Sequence, residues 1–401
     1  MMAKHRRASG TASRAAIAVA TAAAVGAVAT GAVVVGGRFT AKRSDASTTA
    51  PTPRSSQSST QSSGSASPKP SPVAVPLHVV STTPDGKTPV TGTEPITVTF
   101  DAPVAANSPL PTISPQTPGS WSRPAPRVLR FVPALPFVPG TAVSVAVPAT
   151  MRSVNGGTLG SDAHASFQVG DGSLLRLQQL LAELHYLPLT FTPDSPEPNA
   201  AATQGAFAFD PPDGQFAMRF VSTPAALAAL WLPGKMTALT KGAVMAFENV
   251  HHLDIDGIAG PAVWSALLAD AVSGTVDPQP YTWAWTTMAR PETLQIWSDG
   301  EFVFSSKANT GIAAAPTPKG SWPVFARYRT QTMTGTNPDG TKYSDPGVPY
   351  ISYFYQGDAI HGFKRASYGS PQSLGCVELP YSAAAQVWSL IDYGTVVTVS
   401  S

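Results

Sequence analysis

The 401-residue chain holds a single cysteine, Cys376. One thiol cannot close an internal disulfide, and no cysteine near the N-terminus is available to take a lipid. A solitary cysteine is either a small buried hydrophobe or a group kept for its reactivity. Charge is scarce as well, at 12% Asp, Glu, Lys and Arg. Acidic residues are missing altogether from 1–43, which carries seven of the 26 Lys and Arg. Subtracting those seven leaves 19 basic residues against 24 acidic ones, a net charge of −5. A mildly acidic body argues against a nucleic-acid partner.

Long apolar runs are absent but for one, the 23 uncharged residues from Ala15 to Gly37. As a helix it would span about 34 Å at ~1.5 Å per residue, enough for a hydrocarbon core of ~30 Å. Lys4, Arg6, Arg7 and Arg14 precede it, which places 1–14 in the cytoplasm if the segment stays in the membrane. Ala27-Val28-Ala29 resembles a signal-peptide cleavage site, so 15–37 is a membrane anchor or a removed signal. Residues 38–72 follow as a disordered linker. From Ser44 to Pro72 there is no Val, Leu, Ile, Met or aromatic residue, and such a stretch cannot bury enough surface to offset its ordering entropy.

The remainder divides by pattern, and 40 prolines and 33 glycines punctuate it. Residues 73–170 read as an all-β sandwich, with alternation at Ile96–Phe100, Val128–Phe131 and Val143–Val147. Residues 171–272 read as a small helical module. Leu174, Leu177, Leu180, Leu181 and Leu184 recur at helical spacing, a second helix covers Gly242–Val250, and Pro261 opens a third. Residues 190–240 are a long insertion between the first two helices. His251-His252-Leu253-Asp254-Ile255-Asp256 invites a metal reading, but it lacks the further acids of a calcium loop, and a helix end with a turn is expected there. Residues 273–280 form a linker, and from Tyr281 onward strands predominate, with one helix over Ser382–Ile391.

The chemistry converges on His361–Cys376, HGFKRASYGSPQSLGC, in which a histidine lies fifteen positions before the only thiol. A thiol becomes a nucleophile when a base takes its proton, and a histidine folded back onto it would do so. The run Tyr350–Ile360 reads as one strand ending at His361, and Cys376 sits in a Gly-flanked turn. The backbone N–H groups of Gly375 and Cys376 are expected to hold an oxyanion. Ser373 is either a brace for the nucleophile loop or an ordinary turn residue. Asp358, three positions before His361 on the same strand, should face the other side. Trp322, Tyr353, Tyr355 and Tyr368 line a substrate groove or fill the core.

His361-Gly362 and Ser373-Leu374-Gly375-Cys376-Val377 resemble the catalytic domain of the L,D-transpeptidases, YkuD-like enzymes of the bacterial cell wall. Asn309-Thr310-Gly311 and Thr317-Pro318-Lys319-Gly320 stand where that family carries strand-turn landmarks. The resemblance covers roughly 281–401 and has two departures. Leu374 stands where the family often has His, and Glu378 where it often has Arg or Asn. Upstream, 73–170 resembles bacterial immunoglobulin-like domains, and 171–272 is similar to peptidoglycan-binding helical modules. The resemblance implies a multidomain, extracytoplasmic cell-wall transferase. Cys376 would be acylated by a donor tetrapeptide stem of peptidoglycan with release of D-Ala, and an acceptor stem amine would then form a 3→3 cross-link. It further implies that the Gly362 carbonyl orients His361, that no cofactor or metal takes part, and that carbapenem-type inhibitors would acylate the thiol. Water as acceptor would make the protein an L,D-carboxypeptidase. A wall-binding protein with a degenerate catalytic domain is the non-enzymatic alternative.

Overall fold

A computed structural model describes residues 74–196 and 198–401. The expected basic segment 1–14, the apolar run 15–37 and the linker 38–72 lie outside the described residues. Among the described residues, no helix is long and apolar enough to cross a membrane.

The first part is built from β1 (Val79–Thr83), β2 (Ile96–Phe100), β3 (Thr112–Ser114), β4 (Gly119–Ala125), β5 (Val128–Pro133), β6 (Ala142–Val147) and β7 (Ala163–Gln168). They form a sheet in the order β1-β2-β5-β4 and a second in the order β3-β6-β7, all antiparallel. Inward residues of both sheets make one core, with Ile96, Val98, Phe100, Leu129, Phe131, Val143, Val145 and Phe167 buried. The period-2 alternation read along these strands is the pattern a half-buried strand needs.

The second part contains α1 (Leu174–Glu183), β8 (Leu189–Pro193), α2 (Ala201–Phe207), β9 (Gly214–Met218), α3 (Ala225–Ala228), α4 (Ala238–Val250) and α5 (Pro261–Ser273). Ser173 caps α1 through its side chain, Thr237 does the same for α4, and Pro261 opens α5, where its missing N–H costs nothing. The 190–240 insertion supplies α2, α3 and nearly all of an antiparallel β8–β9 hairpin. It then lays Arg219, Phe220 and Ser222 on the turn at Asp299-Gly300, with Arg219 Nη2 3.0 Å from Asp299 Oδ1 and the Phe220 ring edge-on to Trp297 at 5.3 Å. His251, just past α4, lies 2.9 Å from Asp270 and stacks on Phe247 at 4.1 Å.

The last part holds β10 (Thr282–Thr287), β11 (Thr293–Ser298), β12 (Glu301–Lys307), β13 (Gly320–Pro323), β14 (Ala326–Thr336), β15 (Lys342–Tyr355), β16 (Asp358–Gly362), β17 (Val377–Leu379), α6 (Tyr381–Leu390) and β18 (Val396–Ser400). One sheet runs β12-β11-β10-β18-β13 and the other β14-β15-β16-β17. Ala284, Leu294, Ile296, Phe354, Ile360, Val377, Leu379 and Val397 form the core of this part. The run Tyr350–Ile360 is not one strand. Tyr355 pairs with Asp358 across Gln356-Gly357, a two-residue turn with Gln356 at φ +45°, so the run is the end of β15 and the start of β16. Gln-Gly lacks the asparagine that most plainly marks such a turn in a sequence.

The second and third parts share a core. Trp283, Trp297 and Val396 are buried in one cluster with Leu180, Leu187, Phe247 and Leu267 of the helical region. Helix α4 approaches the loop before β18 so closely that a Cβ on Gly242 would stand 2.4 Å from the Gly394 carbonyl oxygen.

Candidate active site

The parallel pairing of β16 with β17 brings the two chemical residues together. In its register Ile360 pairs with Val377 and His361 with Glu378, so Cys376 enters the sheet one residue before the partner of Ile360. His361 and Cys376 line the same cavity of about 510 Å³, together with Tyr343, Asp345, Asp358, Phe363, Arg365 and Glu378 among others. Cys376 is partly exposed, whereas His361 is buried, at 4% exposure. No hydrogen bond joins the two side chains, and the sulfur lies 3.9 Å from the Gly357 carbonyl oxygen.

His361 Nδ1 lies 3.1 Å from the carbonyl oxygen of Gly362. A carbonyl can only accept, so Nδ1 carries the proton and Nε2 keeps its lone pair. Burial lowers the basicity of the imidazole from its ordinary value, opposed by the Gly362 carbonyl. Burial also pushes the Cys376 thiol up to about 12, with the Asp358 and Glu378 carboxylates adding to the rise and the Ala359 backbone N–H opposing it. The resting pair is therefore a neutral thiol and a neutral imidazole, and a proton must move as the sulfur attacks.

The nucleophile turn is tied on both sides. Ser373 Oγ donates to the Cys376 carbonyl at 2.6 Å and accepts the Gly375 N–H at 3.2 Å. This corrects one expectation: the Gly375 N–H is already bonded in this geometry, so of the two backbone donors only Cys376 N–H remains for an oxyanion. Gly375 has φ +122°, and an added Cβ would meet Asp358 Oδ1 at 2.2 Å, so no side chain fits there. Asn309, fully buried, accepts the Gly369 N–H on Oδ1 at 3.0 Å while its backbone pairs with that of Glu378. Gly311 N–H donates to Thr317 Oγ1 at 2.8 Å, which joins the two upstream landmarks to each other beside Ser373.

Several expected positions differ. Asp358 does not face away; it lines the cavity with its carboxylate against Gly375. It is the first residue out of the tight turn, where regular alternation does not yet hold, and burial raises its carboxyl to about 6. Trp322 and Tyr355 pack against each other with tilted rings, centroids 4.7 Å apart, against the inter-sheet core and not in the cavity. Tyr368 accepts the Arg365 N–H at 3.2 Å and braces the loop after β16. Tyr353 donates to Gln331 at 3.0 Å and packs in the small cluster that includes Cys376. The aromatic residues on the cavity wall are instead Tyr343 and Phe363.

Glu378, 4% exposed, is held by Arg365 through two bonds, Nε to Oε2 at 2.8 Å and Nη2 to Oε1 at 2.7 Å. The sequence reading missed this pair. An acid inside the apolar run Val377–Leu379 needs a cation, and Lys364 and Arg365 on the preceding loop were the available signal.

Residues 284–399 match the family YkuD, the L,D-transpeptidase catalytic domain. Solved structures similar to this chain are also L,D-transpeptidases. One from Mycobacterium smegmatis is 14% identical, with 82% of this chain and 100% of that chain covered and a TM-score of 0.28. L,D-transpeptidase 3 from Mycobacterium tuberculosis with a faropenem-derived adduct is 15% identical, covers 81% and 98%, and has a TM-score of 0.27. The catalytic domain of an E. faecium L,D-transpeptidase is 27% identical over 29% of this chain and 95% of that chain, with a TM-score of 0.28. No curated protein matches the chain. In the L,D-transpeptidase domain found here, Cys376 and His361 stand on one open cavity, and the position after Cys376-Val377 is acidic but neutralised by Arg365.

Proposed function

We propose that the L,D-transpeptidase domain works through a Cys376 acyl-enzyme on peptidoglycan stem peptides, forming 3→3 cross-links with release of D-Ala. The observation that carries this reading is the shared cavity, with a thiol on one wall and an imidazole whose free lone pair is fixed by the Gly362 carbonyl on another. His361 Nε2 takes the Sγ proton as sulfur bonds to the carbonyl carbon of the donor. The Cys376 N–H holds the resulting oxyanion, and the imidazolium returns the proton to the D-Ala nitrogen as the C–N bond breaks. An acceptor side-chain amine then attacks the thioester, gives its proton to His361 and frees the thiol. Water in that role gives carboxypeptidase activity.

The outer parts fit a wall-associated string. The strand order β1-β2-β5-β4 against β3-β6-β7 supports an immunoglobulin-like sandwich. Helices α1, α4 and α5, around the buried Leu180, Phe247 and Trp264, support a peptidoglycan-binding-like module. The extracytoplasmic location and N-terminal membrane attachment, or secretion after cleavage, belong to this proposal and rest on the 1–72 sequence.

The test is mass spectrometry of the full chain after exposure to imipenem, a β-lactam whose strained amide is an acyl donor for a thiolate. The expected result is one covalent adduct on Cys376, absent from Cys376→Ala. An intact protein with a reduced thiol and no adduct would sink the acyl-enzyme reading.

A further inference from the structure

We propose, resting on the transpeptidase reading, that Arg365, aimed by Glu378, receives the C-terminal carboxylate of the donor peptide.

The cavity around Cys376 is an unwelcoming place for an anion, since Asp345, Asp358 and Glu378 all line it. A donor peptide that ends just past its scissile bond must nevertheless bring a terminal carboxylate close to the sulfur. Among the described residues lining the cavity, Arg365 is the only Lys or Arg. Its geometry is fixed from three directions. Glu378 takes Nε and Nη2 at 2.8 and 2.7 Å, the Gln372 carbonyl takes Nη2 at 3.2 Å, and the guanidinium lies over the Phe363 ring at 4.6 Å. Phe363 in turn stands edge-on to His361 at 5.9 Å. Nη1 has no hydrogen-bond partner among the described residues and is left for a ligand.

The pairing explains why a buried acid can stand beside the base. Glu378 is the ladder partner of His361, and unpaired it would put a full negative charge against the imidazole and the developing oxyanion. With Arg365 the pair is neutral overall and still offers one N–H edge of a guanidinium, the side chain best shaped for a carboxylate. An Asp or Glu at 378 without Arg365 would repel the donor, and Arg365 without Glu378 would lose two of the bonds that hold its fork.

The experiment compares kcat/KM of the full chain for three donors: a tetrapeptide stem with a free terminal carboxylate, the same stem as its C-terminal carboxamide, and a pentapeptide stem. The wild type is expected to prefer the free tetrapeptide by on the order of 10–100-fold over both others, the range a charge-assisted hydrogen bond supplies. Replacing both charges together, Arg365→Gln with Glu378→Gln, should lower the tetrapeptide free-acid rate by far the most and bring acid and carboxamide within about 3-fold of each other. A purely structural pair would lower all three donors alike, which overturns the proposal. Equal turnover of acid and carboxamide by the wild type overturns it too, without need of any variant, and leaves the transpeptidase reading standing. Turnover of none of the donors by the wild type overturns both.

Discussion

At the scale of single residues, the decisive quantity is where the proton sits before reaction. A thiol pushed up to about 12 is almost entirely protonated at neutral pH, and burial disfavours protonation of His361. Acylation then needs the imidazole neutral and does not need a preformed thiolate. The rate of imipenem adduct formation should fall as pH drops below the ordinary histidine range and stay level from about pH 7 to 9. A preformed thiolate–imidazolium pair would instead keep its rate on the acid side, and that profile would remove the coupled transfer. His361→Gln should slow adduct formation by at least ~10²-fold at pH 7.5, as loss of a general base does, and a loss below tenfold would point to another activator. Cys376 and His361 were legible in the sequence because lone thiols and spaced histidines carry their chemistry in their identity. Asp358 and Arg365 were not. Their positions on the cavity wall arise from a turn at Gln356-Gly357 and from a fold-back of the 363–372 loop, neither of which leaves a periodic trace.

At the scale of elements, the strands and helices followed their periodicity closely. Leu174–Leu184 gave α1 and Pro261 opened α5, since caps and 3.6-residue spacing are local properties. The 190–240 insertion was opaque, because its hairpin and short helices are held by contacts with other parts of the chain. Helix α4 carries a further consequence. Glu248, fully buried, accepts the Gly257 N–H on Oε2 at 2.9 Å, while Oε1 has no hydrogen-bond partner among the described residues. Burial raises its carboxyl to about 7. A raised carboxyl favours the protonated fold, so its contribution is complete below its ordinary value of 4.5 and is lost as pH climbs through about 7. Glu248→Gln should remove this loss. Between pH 5 and 8 the wild type is expected to lose on the order of 2–3 kcal/mol relative to the variant, read as the difference of two urea unfolding curves at each pH. Parallel pH dependence in the two proteins would show that Glu248 ionises freely.

At the scale of the whole molecule, the sequence suggested modules joined by a linker at 273–280, whereas the helical region and the catalytic sheets are welded together. Asp277 N–H bonds the Leu184 carbonyl at 2.9 Å, and Trp283 and Trp297, only 0% and 1% exposed, complete the core of the helical region. Full burial of an indole stabilises by about 4–6 kcal/mol, from 150–250 Å² at ~25 cal/mol/Å², which rivals the ~5–15 kcal/mol net stability of a whole domain. Helical module and transpeptidase domain should therefore unfold as one unit. Calorimetry of a 171–401 fragment is expected to give a single transition with matching calorimetric and van't Hoff enthalpies. Gly242→Val, which drives a side chain into the Gly394 carbonyl at 2.4 Å, should lower that one transition rather than split it. A shoulder that Gly242→Val leaves in place, or a 281–401 fragment that unfolds at the same temperature as 171–401, would mean that the catalytic sheets stand without their helical support.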